Sequence, residues 1–144
     1  ELATGPHVMA DDPAWQLARN VSRAAVLENS DVISLHVPLT DGTRRMIDGP
    51  ALSSMKSNAI VINAARGGVV DEAALVDALK ADQLCGAALD VFETEPVTAE
   101  TGTMFASVPN LILTPHIAGV TQESNGRVST LIAQRVRDHL DNLD

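Results

Sequence analysis

The amino-acid sequence predicts an α/β fold with a doubly wound parallel sheet. Short apolar runs, each long enough for one buried strand, alternate along the chain with segments of helical periodicity. Hydrophobic residues make up 45% of the 144 residues and aromatic residues only 2%, so the core must consist of Ala, Val, Leu and Ile, as in most buried parallel sheets. We therefore expect right-handed crossovers between the strands, with helices on both faces of the sheet.

Five apolar runs are predicted to form the strands of this sheet. They span residues 7–10, 31–38, 58–63, 86–92 and 110–116. The second run ends at Pro38, because proline has no N–H to donate to a neighbouring strand. The residues before the first run, 1–5, are interpreted as the tail of a helix that ends at a glycine. A short irregular stretch after the first strand is expected to bury Trp15, Leu17 and Ala18.

Four helices are predicted between and after these strands. They span residues 22–29, 49–55, 72–80 and about 121–140. Leu52 and Met55 of the second helix are expected to face inwards. Asp71 can cap the third helix, in which Leu75 and Leu79 lie on one face. The apolar positions of the last helix, the most amphipathic of the four, are Val128, Leu131, Ile132, Val136 and Leu140.

The charge and composition of the chain disfavour several classes of function. A net charge of −9 argues against nucleic acid and anionic membranes as partners, because both are bound by clustered Lys and Arg. No run of about 18 apolar residues is present, so no membrane span is expected. Cys85 is the only cysteine, which favours a reducing compartment such as the cytoplasm, and it is expected to be a small buried apolar residue.

Polar side chains follow every predicted strand. They are Asp12, His36, Asn63 with Arg66, Asp90 with Glu95, and His116. Ligands of an open parallel sheet bind beyond the carboxyl ends of its strands. Arg66 alone would be read as a surface residue at a strand-to-helix turn, but polar residues at all five strand ends favour a ligand site. His36 is interpreted as a structural residue, and no pair of His, Cys or acidic residues has the spacing of metal ligands.

Three of these side chains have the chemistry needed to reduce a 2-keto acid. Arg66 offers a planar fork of donors to a carboxylate or a polarised carbonyl. When a hydride arrives at C2, His116 can donate a proton to the oxygen, and Glu95 beside it favours the charged imidazole. In the reverse direction, His116 would accept the proton of the hydroxyl group.

Four segments then carry a specific resemblance. Residues 30–43, 55–71, 88–96 and 110–119 resemble, in order and at compatible spacing, the signatures of the D-isomer-specific 2-hydroxyacid dehydrogenases, most closely the phosphoglycerate dehydrogenase-like and sulfolactate dehydrogenase-like members. The resemblance covers nearly the whole chain. It implies a Rossmann-type domain that binds NAD, an oxidoreductase that acts on a small D-2-hydroxy acid, and a homodimer formed through the cofactor domain.

The resemblance also implies roles for individual residues. The family's catalytic arginine, glutamate and histidine match Arg66, Glu95 and His116, and the Glu-Pro dipeptide selects this glutamate rather than Glu93. Asp12 would bind the ribose diol of adenosine, which favours NAD over NADP because a 2′-phosphate would be repelled. The positions that match cofactor contacts are Asp12, Val37, Pro38, Thr43, Ala65, Arg66, Asp90, His116 and Gly119.

Two features of the family have no counterpart in the sequence. These are the Gly-x-Gly-x-x-Gly turn that holds the pyrophosphate at a helix N-terminus, and the substrate-binding domain. Residues 1–144 are therefore expected to be one partial nucleotide-binding domain without its first, glycine-rich unit, inactive by itself. The alternative is a dinucleotide-sensing, corepressor-like binding protein on the same fold, which the presence of all three catalytic residues disfavours.

Overall fold

The computed structural model describes residues 1–5 and 13–141, in two compact units, Glu1–Thr114 and Pro115–Asp144. The predicted strand at 7–10 and the candidate residue Asp12 lie outside the described residues. All the strands in the described part of the chain belong to the first unit, and one long helix belongs to the second.

The first unit contains a four-stranded parallel sheet and a separate pair of short parallel strands. Strands β1 (Leu2–Ala3) and β2 (Arg19–Asn20) form the pair. Strands β3 (Val32–Leu35), β4 (Ile60–Asn63), β5 (Gly86–Leu89) and β6 (Leu111–Leu113) form the sheet and lie side by side in chain order. The parallel sheet is confirmed, as are four of its predicted strands, although each is shorter than the apolar run that predicted it.

The prediction of a helix tail at residues 1–5 is wrong, because this segment contains a β-strand that pairs with residues 19–20. The N–H of Arg19 donates to the carbonyl of Glu1 at 3.0 Å, and the N–H of Val21 donates to the carbonyl of Ala3 at 3.0 Å. The carbonyls of this segment therefore accept hydrogen bonds from a neighbouring parallel strand, as extended backbone does.

All four predicted helices are confirmed. Helices α1 (Arg23–Asn29), α2 (Gly49–Ser53) and α3 (Glu72–Lys80) belong to the first unit and α4 (Gln122–Asp141) to the second, while Pro13–Gln16 and Thr101–Phe105 form 3₁₀ turns. Each helix of the first unit begins at a side-chain oxygen that accepts a backbone N–H three residues on. The pairs are Ser22 with Ala25 at 3.2 Å, Asp48 with Ala51 at 2.9 Å, and the predicted cap Asp71 with Ala74 at 3.0 Å.

One face of the sheet is buried against α2 and α3. Ile33, Val61 and Leu89 on the sheet belong to one apolar cluster with Leu52 of α2 and Leu75 of α3, and all five side chains are buried. The inward orientation predicted for these two helices is confirmed. Burial of this face fixes the register of the strands, because a shift by one residue would turn the buried side chains outwards.

The opposite face of the sheet is less well covered within Glu1–Thr114. Side chains alternate along a strand, so Val32 of β3 and Ile112 of β6 point away from α2 and α3. They are 55% and 66% exposed. In the described part of the first unit, the apolar core therefore lies on one side of the sheet.

Two predictions of burial are wrong. Leu17, which lies between a 3₁₀ turn and the exposed strand β2, is 84% exposed. Cys85 is exposed in the turn before β5, where its backbone N–H donates to the carbonyl of Ala59. The apolar positions listed for the last helix, α4, are exposed as well. No helix among the described residues has the length and apolar character needed to cross a bilayer.

Candidate functional site

The turn that follows β4 is shaped by the side chain of Asn63, the last residue of the strand. This side chain is 2% exposed. Its Nδ2 donates to the carbonyl of Arg66 at 3.0 Å, and its Oδ1 accepts the N–H of Ala65 at 3.1 Å. Both ends of the amide are satisfied inside the turn, which explains how a polar residue is accommodated in the core. Asn63 therefore determines where the main chain of Arg66 lies.

Arg66 itself is exposed, and its guanidinium donates to the carbonyl of Ala65 at 2.6 Å. The next residue, Gly67, lies directly on the main chain that follows β5. A Cβ atom added to Gly67 would be 1.8 Å from the carbonyl oxygen of Phe92 and 3.0 Å from the nitrogen of Glu93. Only glycine permits this approach. The turn that carries Arg66 is thus in contact with the segment that leads to Glu95.

The segment after β5 holds Glu95 by a short local bond. The N–H of Phe92 donates to Oε1 of Glu95 at 2.9 Å. The ring of Phe92 is buried and packs edge-on against Phe105, with ring centroids 5.8 Å apart. Because Phe92 is anchored in the core, the bond from its N–H places the Glu95 carboxylate close to the end of the sheet.

Two charged residues that the sequence did not single out surround this segment. Glu72, the first residue of α3, is 7% exposed, and its Oε1 accepts the N–H of Glu93 at 2.5 Å. Arg45 contacts Glu93 at 3.1 Å and Asp71 at 3.5 Å. In the sequence, an acid directly after a helix cap is typical of the exposed first turn of a helix. The burial of Glu72 and its bond to Glu93 were therefore not predicted.

The surroundings of Glu72 shift the pKa of its carboxyl group upwards. Burial raises the pKa of Glu72 above its ordinary value, and the negative charges of Glu93 and Glu95 act in the same direction. The hydrogen bond from the Glu93 N–H and the positive charge of Arg45 act in the opposite direction. Hydrogen bonding to Glu93, with the charge of Asp71, raises the pKa of Arg45.

The carboxyl end of β5 presents the carboxylate of Asp90. The N–H of Asp90 donates to the carbonyl of Asn63 at 2.9 Å, and the hydroxyl of Thr114 donates to the Asp90 carboxylate. The N–H of Thr114 in turn donates to the carbonyl of Leu89 at 3.0 Å. Asp90 is therefore fixed between the ends of β4 and β6, beside the turn that carries Arg66.

The loop after β3 contains the three remaining candidates of the first unit that were expected near a nucleotide. The hydroxyl of Thr43 donates to the carbonyl of Pro38 at 2.6 Å and accepts the N–H of Thr40 at 2.8 Å. Val37 is half-buried against the core. Nearby, the side chains of His36 and Ser34 are hydrogen-bonded at 2.9 Å. The Thr43 hydroxyl thus closes this loop at the end of the strand next to β4.

The structure places the candidates of the first unit at the carboxyl ends of three neighbouring strands. Arg66 and Glu95 lie in turns that touch each other, and Asp90 lies at the end of the strand between β4 and β6. His116 and Gly119 belong to the second unit, where both are exposed and the φ of His116 is 51°. Their part in the site stays a prediction.

This arrangement has a defined chemical character. An exposed guanidinium and two placed carboxylates lie beyond the carboxyl ends of parallel strands, where nucleotides and their substrates bind in open α/β sheets. Among the described residues, no group of three or more His, Cys, Asp or Glu side chains is arranged to hold a metal ion. Fold and site together are those of a Rossmann-type nucleotide-binding domain.

Residues 3–118 match the D-isomer specific 2-hydroxyacid dehydrogenase family, in its NAD binding domain. The chain belongs to this family, and NAD is the cofactor that the matched domain binds. The (S)-sulfolactate dehydrogenase of Chromohalobacter salexigens is 53% identical over 137 residues, which are 94% of this chain and 44% of that protein. The hydroxypyruvate reductase of Thermotoga maritima is 38% identical over 139 residues, 94% of this chain and 45% of that protein.

A solved structure supports the same fold. The D-lactate dehydrogenase of Aquifex aeolicus, in complex with NAD and lactic acid, has a TM-score of 0.78 at 33% identity. The match covers 98% of this chain and 46% of that enzyme. The chain thus spans less than half the length of each of these three relatives.

Proposed function

We propose that this chain is most of the cofactor domain of an NAD-dependent dehydrogenase that interconverts a D-2-hydroxy acid and its 2-keto acid. The observation that carries the proposal is the contact between Gly67 and the main chain of Phe92 and Glu93, which sets the turns of Arg66 and Glu95 side by side. An anion-binding arginine and an acid are then available to one small ligand at the end of the sheet. Residues 1–144 form a partial domain, and a substrate-binding domain completes the cleft.

In this proposal, Arg66 binds the carboxylate of the substrate and polarises its carbonyl. Its guanidinium is exposed and is bound within the described structure only to the neighbouring carbonyl of Ala65, so it can reorient towards a ligand without breaking an ion pair. His116 donates the proton to the carbonyl oxygen or removes it from the hydroxyl group. Glu95 stabilises the imidazolium and keeps the ring oriented.

Asp90 and Ala65 would lie at the nicotinamide end of NAD. The Asp90 carboxylate is a fixed hydrogen-bond acceptor at the end of β5, as a carboxamide N–H requires, and Ala65 lies in the neighbouring turn. Val37, Pro38 and Thr43 would line the adenosine and pyrophosphate side, and Asp12 would bind the ribose diol. When bound, NAD supplies the hydride or accepts it.

Compartment and assembly belong to the same proposal. A lone cysteine and the reductive chemistry favour the cytoplasm, and the family resemblance favours a homodimer. The net charge of −9 disfavours nucleic acid and anionic membranes as partners. The expected small-molecule partner is a 2-hydroxy or 2-keto acid.

The test is oxidation of NADH by the complete protein with a panel of 2-keto acids. Arg66→Lys, Glu95→Gln and His116→Ala should each lower turnover, and the histidine change should cost about 100-fold or more, because it removes the acid–base group. Arg23→Lys, a matched change at the exposed first residue of α1, should leave turnover unchanged.

Two results would overturn the proposal. Near-normal turnover of the His116→Ala variant would remove the mechanism. Tight binding of NADH by the wild-type protein without turnover of any 2-keto acid would instead indicate a dinucleotide-sensing protein.

A further inference from the structure

Two consecutive backbone N–H groups of the segment after β5 bind two different carboxylates. The N–H of Phe92 donates to Glu95 at 2.9 Å, and the N–H of Glu93 donates to Glu72 at 2.5 Å. Glu95 is exposed, whereas Glu72 is buried below the segment at the start of α3. The bond to Glu72 therefore connects the start of α3 to the main chain that leads to Glu95.

The buried carboxylate of Glu72 is held in a charged environment that does not favour it. Burial and the charges of Glu93 and Glu95 raise its pKa, and Arg45, which also contacts Glu93 and Asp71, only partly offsets them. A buried carboxylate is unfavourable unless it makes strong hydrogen bonds. The short bond from the Glu93 N–H is such an interaction, because it satisfies an oxygen of the buried carboxyl group inside the protein.

The other side of the same segment is fixed by main-chain contact. Gly67 packs on the carbonyl of Phe92, so the segment lies between the turn that carries Arg66 and the start of α3. If the bond to Glu72 were lost, Glu93 could move away from α3. The ring of Phe92 would stay in the core, but the main chain from Glu93 to Glu95 would shift, and the Glu95 carboxylate would move away from the Phe92 N–H and from the turn of Arg66.

We propose that Glu72 is a positioning residue for Glu95: its carboxylate fixes the main chain at Glu93, and through it the place of the Glu95 carboxylate beside the Arg66 turn. The catalytic meaning of this position rests on the function proposed above. The hydrogen bond by which Glu72 restrains the main chain at Glu93 is independent of that function, because its effect can be measured without turnover.

The experiment is amide hydrogen exchange of the full chain, resolved at Phe92 and Glu93. In Glu72→Ala, both amides should exchange about tenfold faster or more, since one bond to a carboxylate is lost and the second acceptor is displaced. Glu72→Gln keeps an oxygen acceptor and should restore part of the protection. Glu123→Gln, the same change in the exposed first turn of α4, should alter neither amide.

The amide of Phe92 decides between positioning and a merely local role. If Glu72→Ala speeds exchange at Glu93 alone and leaves Phe92 unchanged, the proposal is overturned. If Glu72→Ala does not fold, Glu72→Asp is measured at the same two amides, because its shorter side chain withdraws the acceptor and keeps the charge.

Turnover of the complete protein provides the second arm. Glu72→Ala should lower kcat about tenfold or more with little change in the KM for NADH, because a misplaced Glu95 affects chemistry rather than cofactor binding. A wild-type protein without turnover would refute the proposed function, and the exchange at Phe92 would still decide the role of Glu72. An unchanged kcat in Glu72→Ala, in a protein that does turn over, would refute the positioning role.

Discussion

Replacing Gly67 by alanine should damage both the stability of the protein and its chemistry. The added Cβ would lie 1.8 Å from the carbonyl oxygen of Phe92 and 2.3 Å from its carbonyl carbon. The effect is steric, because φ at Gly67 is not positive, unlike that of Gly68 at 77°. Alanine is therefore compatible with the backbone angles of Gly67 but not with its surroundings.

The size of the effect follows from these distances. Contacts of a Cβ below 3.0 Å are essentially never seen, so the two backbone segments must separate by more than 1 Å. Overpacking in a core costs about 1–3 kcal/mol, and we expect a loss near 3 kcal/mol because a main-chain carbonyl has no alternative rotamer to adopt. A displacement of this size between Arg66 and Glu95 should lower turnover by about 100-fold.

Urea unfolding of the chain measures the first effect, and NADH oxidation by the complete protein measures the second. Gly49→Ala is the matched control, because it lies at the first position of α2 and nothing approaches its Cβ position within 4 Å. It should change the free energy of unfolding by no more than about 0.5 kcal/mol. If Gly67→Ala and Gly49→Ala unfold at the same urea concentration, the close contact does not exist as described.

Two further predictions concern the buried polar residues. Asn63→Leu should lower the free energy of unfolding by about 2–3 kcal/mol, because the Ala65 N–H and the Arg66 carbonyl both lose their partner. The control Asn20→Leu, on the exposed strand β2, should change it by less than about 0.5 kcal/mol. Equal effects of the two changes in urea unfolding would contradict the role of Asn63. Because burial raises the pKa of Glu72, its contribution to stability is greatest below the pKa of the unfolded chain and is lost as pH rises through the raised value. The stability of Glu72→Gln relative to wild type should therefore rise with pH from about pH 4 upwards, where a glutamate in the unfolded chain begins to ionise, and a difference that is constant with pH would contradict this.

Features set by neighbouring residues could be predicted from the sequence. The cap at Asp71 and the extent of α3 follow from a carboxylate placed before a helical pattern, and the structure reproduces both. The positions of Arg66 and Glu95 at the sheet edge follow from topology, because parallel strands end on the same side. These predictions depend only on the order of residues along the chain and on the common direction of parallel strands.

Features set by residues far apart in sequence could not be predicted. The pairing of residues 1–3 with 19–21 replaced an expected helix tail, and neither segment carries a signal for the other. The same is true of Gly67, because nothing in the sequence around it indicates that it packs on the main chain of Phe92. Burial of Glu72 depends on an N–H 21 positions away.

The side chain of Arg66 contributes little to the packing of the turn that carries it, and this affects which substitutions the turn can accept. Asn63 and Gly67 fix the turn through the main chain, while the guanidinium contacts only the adjacent carbonyl within the described structure. Substitutions of Arg66 therefore alter the charge and reach offered to a ligand without disturbing the fold that presents it. Natural variation or directed evolution can therefore change this single position while the selection for folding acts on its neighbours.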